Sequence, residues 1–181
     1  MFILYAILIG LGLGLALGGR PAGLNDLRFR WSWLFLAGLV VQVVLFSEPV
    51  TAVIGSLGAP IYVVSTGLVA GAVLANRGIT GMPIVLAGAA CNLAAILANG
   101  GYMPASAEAM AALGRTAPTV YSNSSLVATP ALAPLTDIFA LPIWIPWANV
   151  FSVGDVLIAI GVIVVMVAAM RRPAAAPVGA G

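Results

Sequence analysis

The sequence predicts an all-α membrane protein with five transmembrane helices. Hydrophobic residues make up 62% of its 181 residues and charged residues only 7%, too few to cover a water-facing surface. Mean hydropathy is +1.16, and the apolar residues gather in five runs near the roughly 20 residues that cross a bilayer core. Between these runs the chain places arginines, never lysine, and six of the seven fall on one side of the implied membrane.

The first run, 2–18, is FILYAILIGLGLGLALG. No positive charge precedes it and no A-x-A-like site follows, so a span is expected rather than a secretory signal peptide. Gly10, Gly14 and Gly18 recur every four residues, a spacing that lets another helix approach closely. With no strand before them they do not form a dinucleotide loop. The second span covers 32–48 and the third 51–75, bent near Pro60 where a backbone donor is missing. The fourth covers 79–98, and the fifth, 153–170, stops at Arg171 and Arg172. Residues 1–172 make one integral membrane domain. The last nine residues, PAAAPVGAG, have the composition of a disordered tail.

Arg20, Arg28 and Arg30 lie between the first two spans, Arg77 between the third and fourth, and Arg171 and Arg172 after the fifth. The positive-inside rule therefore sets the N-terminus outside and the C-terminus inside. Glu48 and the long segment 99–152 then face outward.

In that segment Asn99-Gly100-Gly101 signals a turn. Ser106 is placed to cap a short helix with an apolar face of Ala109, Met110 and Leu113, stopped by Gly114 and lying in the interface plane. Asn123-Ser124-Ser125 matches a glycosylation tripeptide that is common by chance. Pro142 and Pro146 forbid a regular spanning helix over 131–151, and Trp144 and Trp147 suit the headgroup boundary. This part is expected to be interfacial or shallowly re-entrant.

The absence of histidine removes the commonest general base and metal ligand, and with them any Ser–His or zinc chemistry. A single Cys91 removes disulfides within the chain. No metal or other cofactor is expected, and no basic cluster is dense enough for nucleic acid. Any chemistry rests on the five acids Asp26, Glu48, Glu108, Asp137 and Asp155 with neighbouring amides and hydroxyls. Ser152 to Asp155 fits a capping box at the start of the fifth span, and Asp137 taken alone fits a cap or a loop acid. As a pair, two close carboxylates share one proton, so that one activates water and the other protonates a leaving nitrogen. Asn92 and Asn99 are two helical turns apart on one face, suited to interhelical hydrogen bonding. Gln42, Ser65, Thr66 and Asn76 suit the same role. Tyr102, Tyr121 and Arg115 can line an outward cleft, with Arg115 paired to an acid or to a substrate.

Phe151-Ser152-Val153-Gly154-Asp155 and the apolar run after it resemble the F-N-x-A-D element that opens the last span of lipoprotein signal peptidases (signal peptidase II), with Ser152 and Gly154 in place of Asn and Ala. In that family a second aspartate precedes by 18 or 19 residues, and Asp137 precedes Asp155 by 18. Asn99-Gly100-Gly101-Tyr102-Met103 is similar to the family's N-x-G-A-A-F element. The resemblance implies a catalytic dyad of Asp137 and Asp155 acting on a lipoprotein-like substrate held by Asn99. Gly101, Tyr102, Asn149 and Ser152 join it as candidate substrate- or partner-binding residues.

A broader resemblance covers nearly the whole chain. The GGR that ends the first span, NGGYMP, YSNS, D-I-F-x-L-P and N-V-F-S-x-G-D-V-L-I are similar to a bacterial family of small membrane proteins known only as a domain of unknown function. That implies a multi-pass inner-membrane location without an established activity. The expected function is thus an accessory, scaffold or lipid- and partner-binding protein with an outward-facing site. The first alternative is the aspartyl peptidase and the second a transporter or channel subunit, although no span carries a clear acid or base at its middle. Membrane lipids, a membrane-protein partner and a second copy of the chain are the expected partners.

Overall fold

The computed structural model describes residues 2–115, 124–127 and 129–172. The expected tail, Tyr121 and Asn123 lie outside the described residues. The chain is mostly helical. In order it forms α1 (Phe2–Ala16), α2 (Ser32–Leu45), α3 (Glu48–Thr51), α4 (Gly58–Ala75), α5 (Met82–Ala98), α6 (Ala107–Ala112) and α7 (Val153–Met170). Two stretches, Gly55–Ala75 and Val153–Met170, are long and apolar enough to cross a membrane, while α1, α2 and α5 are apolar but shorter.

The expected span 51–75 is not one bent helix. The chain turns over 52–54, and a 3-10 turn from Gly55, at φ +51°, to Leu57 leads into α4 at Gly58. Pro60 falls in the first turn of α4, where its missing N–H would have had no helical partner, so it bends nothing. The expected 32–48 is likewise shorter, because Ser47 is extended at φ −75°, ψ 145° ahead of Pro49.

The five long helices stand in a row in the spatial order α2, α4, α5, α7, α1. Small residues set each close approach. Gly38 of α2 meets Val69 of α4, and Gln42 Nε2 donates to Thr66 Oγ1 at 3.4 Å. Tyr62 and Val63 of α4 pack on Ala95 and Ile96 of α5. Between α5 and α7, Gly81 lies against Gly161 and Gly88 against Gly154. Each of these pairs is antiparallel. By contrast, α1 runs parallel to α7, with Gly10 on Met166 and Gly14 on Met170. Gly18, at φ +76°, has nothing near it and serves the turn. Gly19 makes the third close approach instead, since a Cβ there would lie 2.9 Å from Met170 Cβ.

These directions gather the chain's connections at two ends. Residues 17–31, 76–81 and 171–172 meet at one: Arg20 N–H donates to Met170 O at 2.7 Å, and Asn76 binds Arg30. The segment 17–31 crosses the row there, burying Leu27 and Phe29 against Val73, Met82, Val85 and Val165. Asn76 grips both backbone groups of Arg30. Its Oδ1 accepts from Arg30 N–H (2.8 Å), and its Nδ2 donates to Arg30 O (2.9 Å) and Ala72 O (2.7 Å).

The opposite end carries a cap. Asn99, Gly100 and Gly101 close α5 in a Schellman turn, with Gly101 N–H donating to Ile96 O at 2.9 Å and φ values of +71° and +89° at the glycines. Strand β1 (Met103–Ala105) pairs in parallel with β2 (Ser124–Leu126), and β3 (Phe139–Ala140) pairs antiparallel with β4 (Val150–Phe151). Ser106 Oγ accepts from Ala109 N–H at 3.0 Å and so caps α6 as expected. The apolar face of α6 packs on Ala105 and Val150 inside the cap.

The flanks of the row remain apolar. Of the described residues of α1 only Ala6, Gly10 and Gly14 are buried, while Leu8, Leu36, Val43 and Val64 are each at least 60% exposed. So much contiguous apolar surface suits lipid or another protein rather than water.

Candidate functional site

The cap converges on the N-terminus of α7. Ser152, fully buried, is its N-cap: Ser152 Oγ accepts from Asp155 N–H at 3.0 Å, and Asp155 Oδ2 accepts from Ser152 N–H at 3.0 Å. This is the capping box expected from the sequence. Asn92, one helix away on α5, closes it into a ring. Its Nδ2 donates to Asp155 Oδ1 at 2.8 Å and its Oδ1 accepts from Ser152 Oγ at 2.8 Å. Both carboxylate oxygens of Asp155 therefore already hold a donor. Gly154 makes room for the ring, since a Cβ there would run into Asn92 Oδ1.

Asp137 lies in the same cap and is buried at 6% exposure. Its N–H donates to Pro104 O (2.9 Å) and its carbonyl accepts from Ser106 N–H (3.0 Å), which ties it to β1. The Trp–Pro passage between the two aspartates folds back on itself. Phe139 pairs with Phe151 and Ala140 with Val150, and the rings of Phe139 and Phe151 stack at 5.4 Å. Continued two residues, that register sets Asp137 across from Val153, the first residue of α7. One hairpin thus carries both acids to the same end of the molecule.

The other candidate residues hold the cap together. Asn99 pairs with the backbone of Ala131 through both amide atoms (2.9 Å each) and donates to Ala95 O at 2.8 Å. This repeats the grip of Asn76 on Arg30. Gly101 is buried where a Cβ would lie 2.7 Å from Ala59 Cβ. Tyr102, half-buried, follows at the start of the cap. Asn149 Oδ1 accepts from Arg115 Nη1 at 2.8 Å, while Arg115 Nη2 donates to Ala148 O at 3.1 Å. Arg115 thereby secures the tryptophan turn through neutral acceptors, not through an acid.

Two features were not assigned from the sequence: the partnership of Asn92 with Asp155, and the glycine contacts that permit it. A signal existed. Gly81 and Gly88 on one run, and Gly154 and Gly161 on another, share a seven-residue spacing that keeps small residues on one helical face.

Asp155→Asn tests how the ring is wired. One amide NH2 would then face an existing donor, either Asn92 Nδ2 or Ser152 N–H. A cost of about 1–3 kcal/mol is expected, read as a lowered unfolding midpoint in detergent. An unchanged midpoint would show that the ring does not hold.

A mostly helical chain, with membrane-length apolar helices and a folded polar–aromatic cap at one end, is the class that fold and site define. The chain belongs to a family of unknown function, DUF5317, whose model matches residues 26–167. No curated protein and no solved structure matches it, and no comparison supports the likeness to lipoprotein signal peptidases.

Proposed function

We propose that this is a multi-pass bacterial inner-membrane protein of five spans, N-terminus outside and C-terminus inside, whose outward cap is a non-catalytic binding surface for lipid or a membrane partner. The segregation of charge carries this reading. Arg20, Arg28, Arg30, Arg77, Arg171 and Arg172 collect at one end of the row, and Glu48, Glu108, Asp137 and Asp155 at the other. Apolar residues are exposed between. Trp31 and Trp33 at the arginine end, and Trp144 and Trp147 at the cap end, are all more than half exposed, as interfacial belts require. Asp155 favours binding over catalysis, because both of its oxygens already hold donors of the cap that starts α7, Asn92 Nδ2 and Ser152 N–H.

Labelling tests the orientation. In a Cys91→Ala background, Val53→Cys at the cap end is expected to react with a membrane-impermeant maleimide in intact cells. Gly78→Cys at the arginine end is expected to react only after permeabilisation. The reverse pattern, or equal reactivity at both, refutes the topology.

The hairpin register favours a second reading, an aspartyl hydrolase using Asp137 and Asp155. For this reading Asp137→Asn is the cleaner variant, since Asp155 is bound into the helix cap. Uncleaved lipoprotein precursor accumulating in that variant supports hydrolysis, and normal processing removes it.

A further inference from the structure

Arg115 is the only arginine at the cap end, among four of the chain's five acids. It lines an open groove with Leu113, Ile143, Trp144, Pro146 and Trp147. Its two bonds, to Asn149 Oδ1 and Ala148 O, both go to neutral acceptors. They use two of the five N–H donors that a guanidinium carries and leave its charge uncompensated by them.

The groove also lies at a definite height. Tyr5, near the start of α1, donates its hydroxyl to Pro146 O, which pins the turn against the flank of the helix row. Ile143, Trp144 and Trp147 are 73%, 81% and 66% exposed there. Trp147 keeps its large side chain at φ +56°, a conformation that favours glycine. A cation beside exposed indoles and an isoleucine, level with a helix end, matches an amphiphile whose anionic group sits directly above its hydrocarbon. Indole N–H groups only donate and phosphate oxygens only accept, so the rings suit the same ligand. Arginine's fork fits two phosphate oxygens at once.

We propose that Arg115 and the Trp144–Trp147 turn form a binding site for the phosphodiester of an anionic phospholipid in the outer leaflet. The proposal rests on the membrane orientation given above. Trp31→Phe and Trp33→Phe in the full chain leave emission to Trp144 and Trp147. The protein is placed in nanodiscs of phosphatidylcholine containing increasing phosphatidylglycerol brominated high on its acyl chains. Half-maximal quenching is expected at a phosphatidylglycerol fraction about tenfold lower than with Arg115→Gln, the factor for losing one charge-assisted bond. Arg115→Lys, which keeps the charge and loses the fork, is expected to fall between them.

Excess glycerol 3-phosphate in the buffer is expected to change nothing. Relief of quenching by it would identify a soluble phosphate as the ligand and overturn the lipid. Coincident curves for the wild type, Arg115→Gln and Arg115→Lys would overturn the site while leaving the membrane reading intact. No quenching at any fraction would overturn both.

Discussion

Gly154→Val is expected to destabilise the fold by about 3–5 kcal/mol, combining overpacking with the rupture of a buried polar ring. A Cβ at this position would run into Asn92 Oδ1 and lie 2.8 Å from Gly88 O, and both groups belong to the neighbouring helix α5. Displacing Asn92 frees Asp155 Oδ1 and the Ser152 hydroxyl together, so one added side chain undoes two hydrogen bonds at 2.8 Å. The measurement is the unfolding midpoint in detergent, with Gly12→Val as the control. Gly12 lies in an apolar helix with nothing within 4 Å, and its change is expected to stay within about 0.5 kcal/mol. Equal effects at the two glycines would mean that the contact between α5 and α7 is not what the variant disturbs.

Asn76→Ala is expected to cost about 2–4 kcal/mol, the sum of partners left without bonds. The side chain is only 4% exposed and serves Arg30 N–H, Arg30 O and Ala72 O. Water reaches such a position poorly, so truncation leaves the Arg30 backbone unsatisfied. The loss should be local first: amide exchange over 27–31 is expected to accelerate ahead of exchange in α4 and α5. Asn76→Asp retains an acceptor for Arg30 N–H but turns a buried carboxylate oxygen onto Arg30 O and Ala72 O, and is expected to cost more than alanine. Uniform acceleration along the chain would place the weak point elsewhere.

Residues whose role is set by near neighbours were legible from the sequence. Ser152 and Asp155 form the expected capping box because the partners are three residues apart. Ser106, Gly114 and the Asn99-Gly100-Gly101 turn followed for the same reason. The apolar runs were legible because exposed helix flanks stay hydrophobic all round. Pro60 was misjudged because the meaning of a proline depends on where the helix begins, and Gly55 moved that start. Gly18 was misjudged because a four-residue spacing continues past the point at which α1 ends. The order of helices in the row was not legible at all. It depends on which glycine faces which neighbour, and sequence spacing says nothing of neighbours.

The same holds for the site. Its two aspartates could be singled out because the chain has only five acids, and the prolines between them forbid a regular span. The atoms that occupy Asp155 could not: Asn92 lies 63 residues away and reaches it only because Gly154 lacks a side chain.

Helices that follow one another along the chain need not be neighbours, and α1 and α2 stand at opposite margins of the row. The seat of α1 is built largely from Met166, Met170 and Ile163. The ribosome therefore releases α1 long before its berth exists. During that interval its stripe of Ala6, Gly10 and Gly14 lacks the helix that later covers it, and the row is completed only when the last helix arrives.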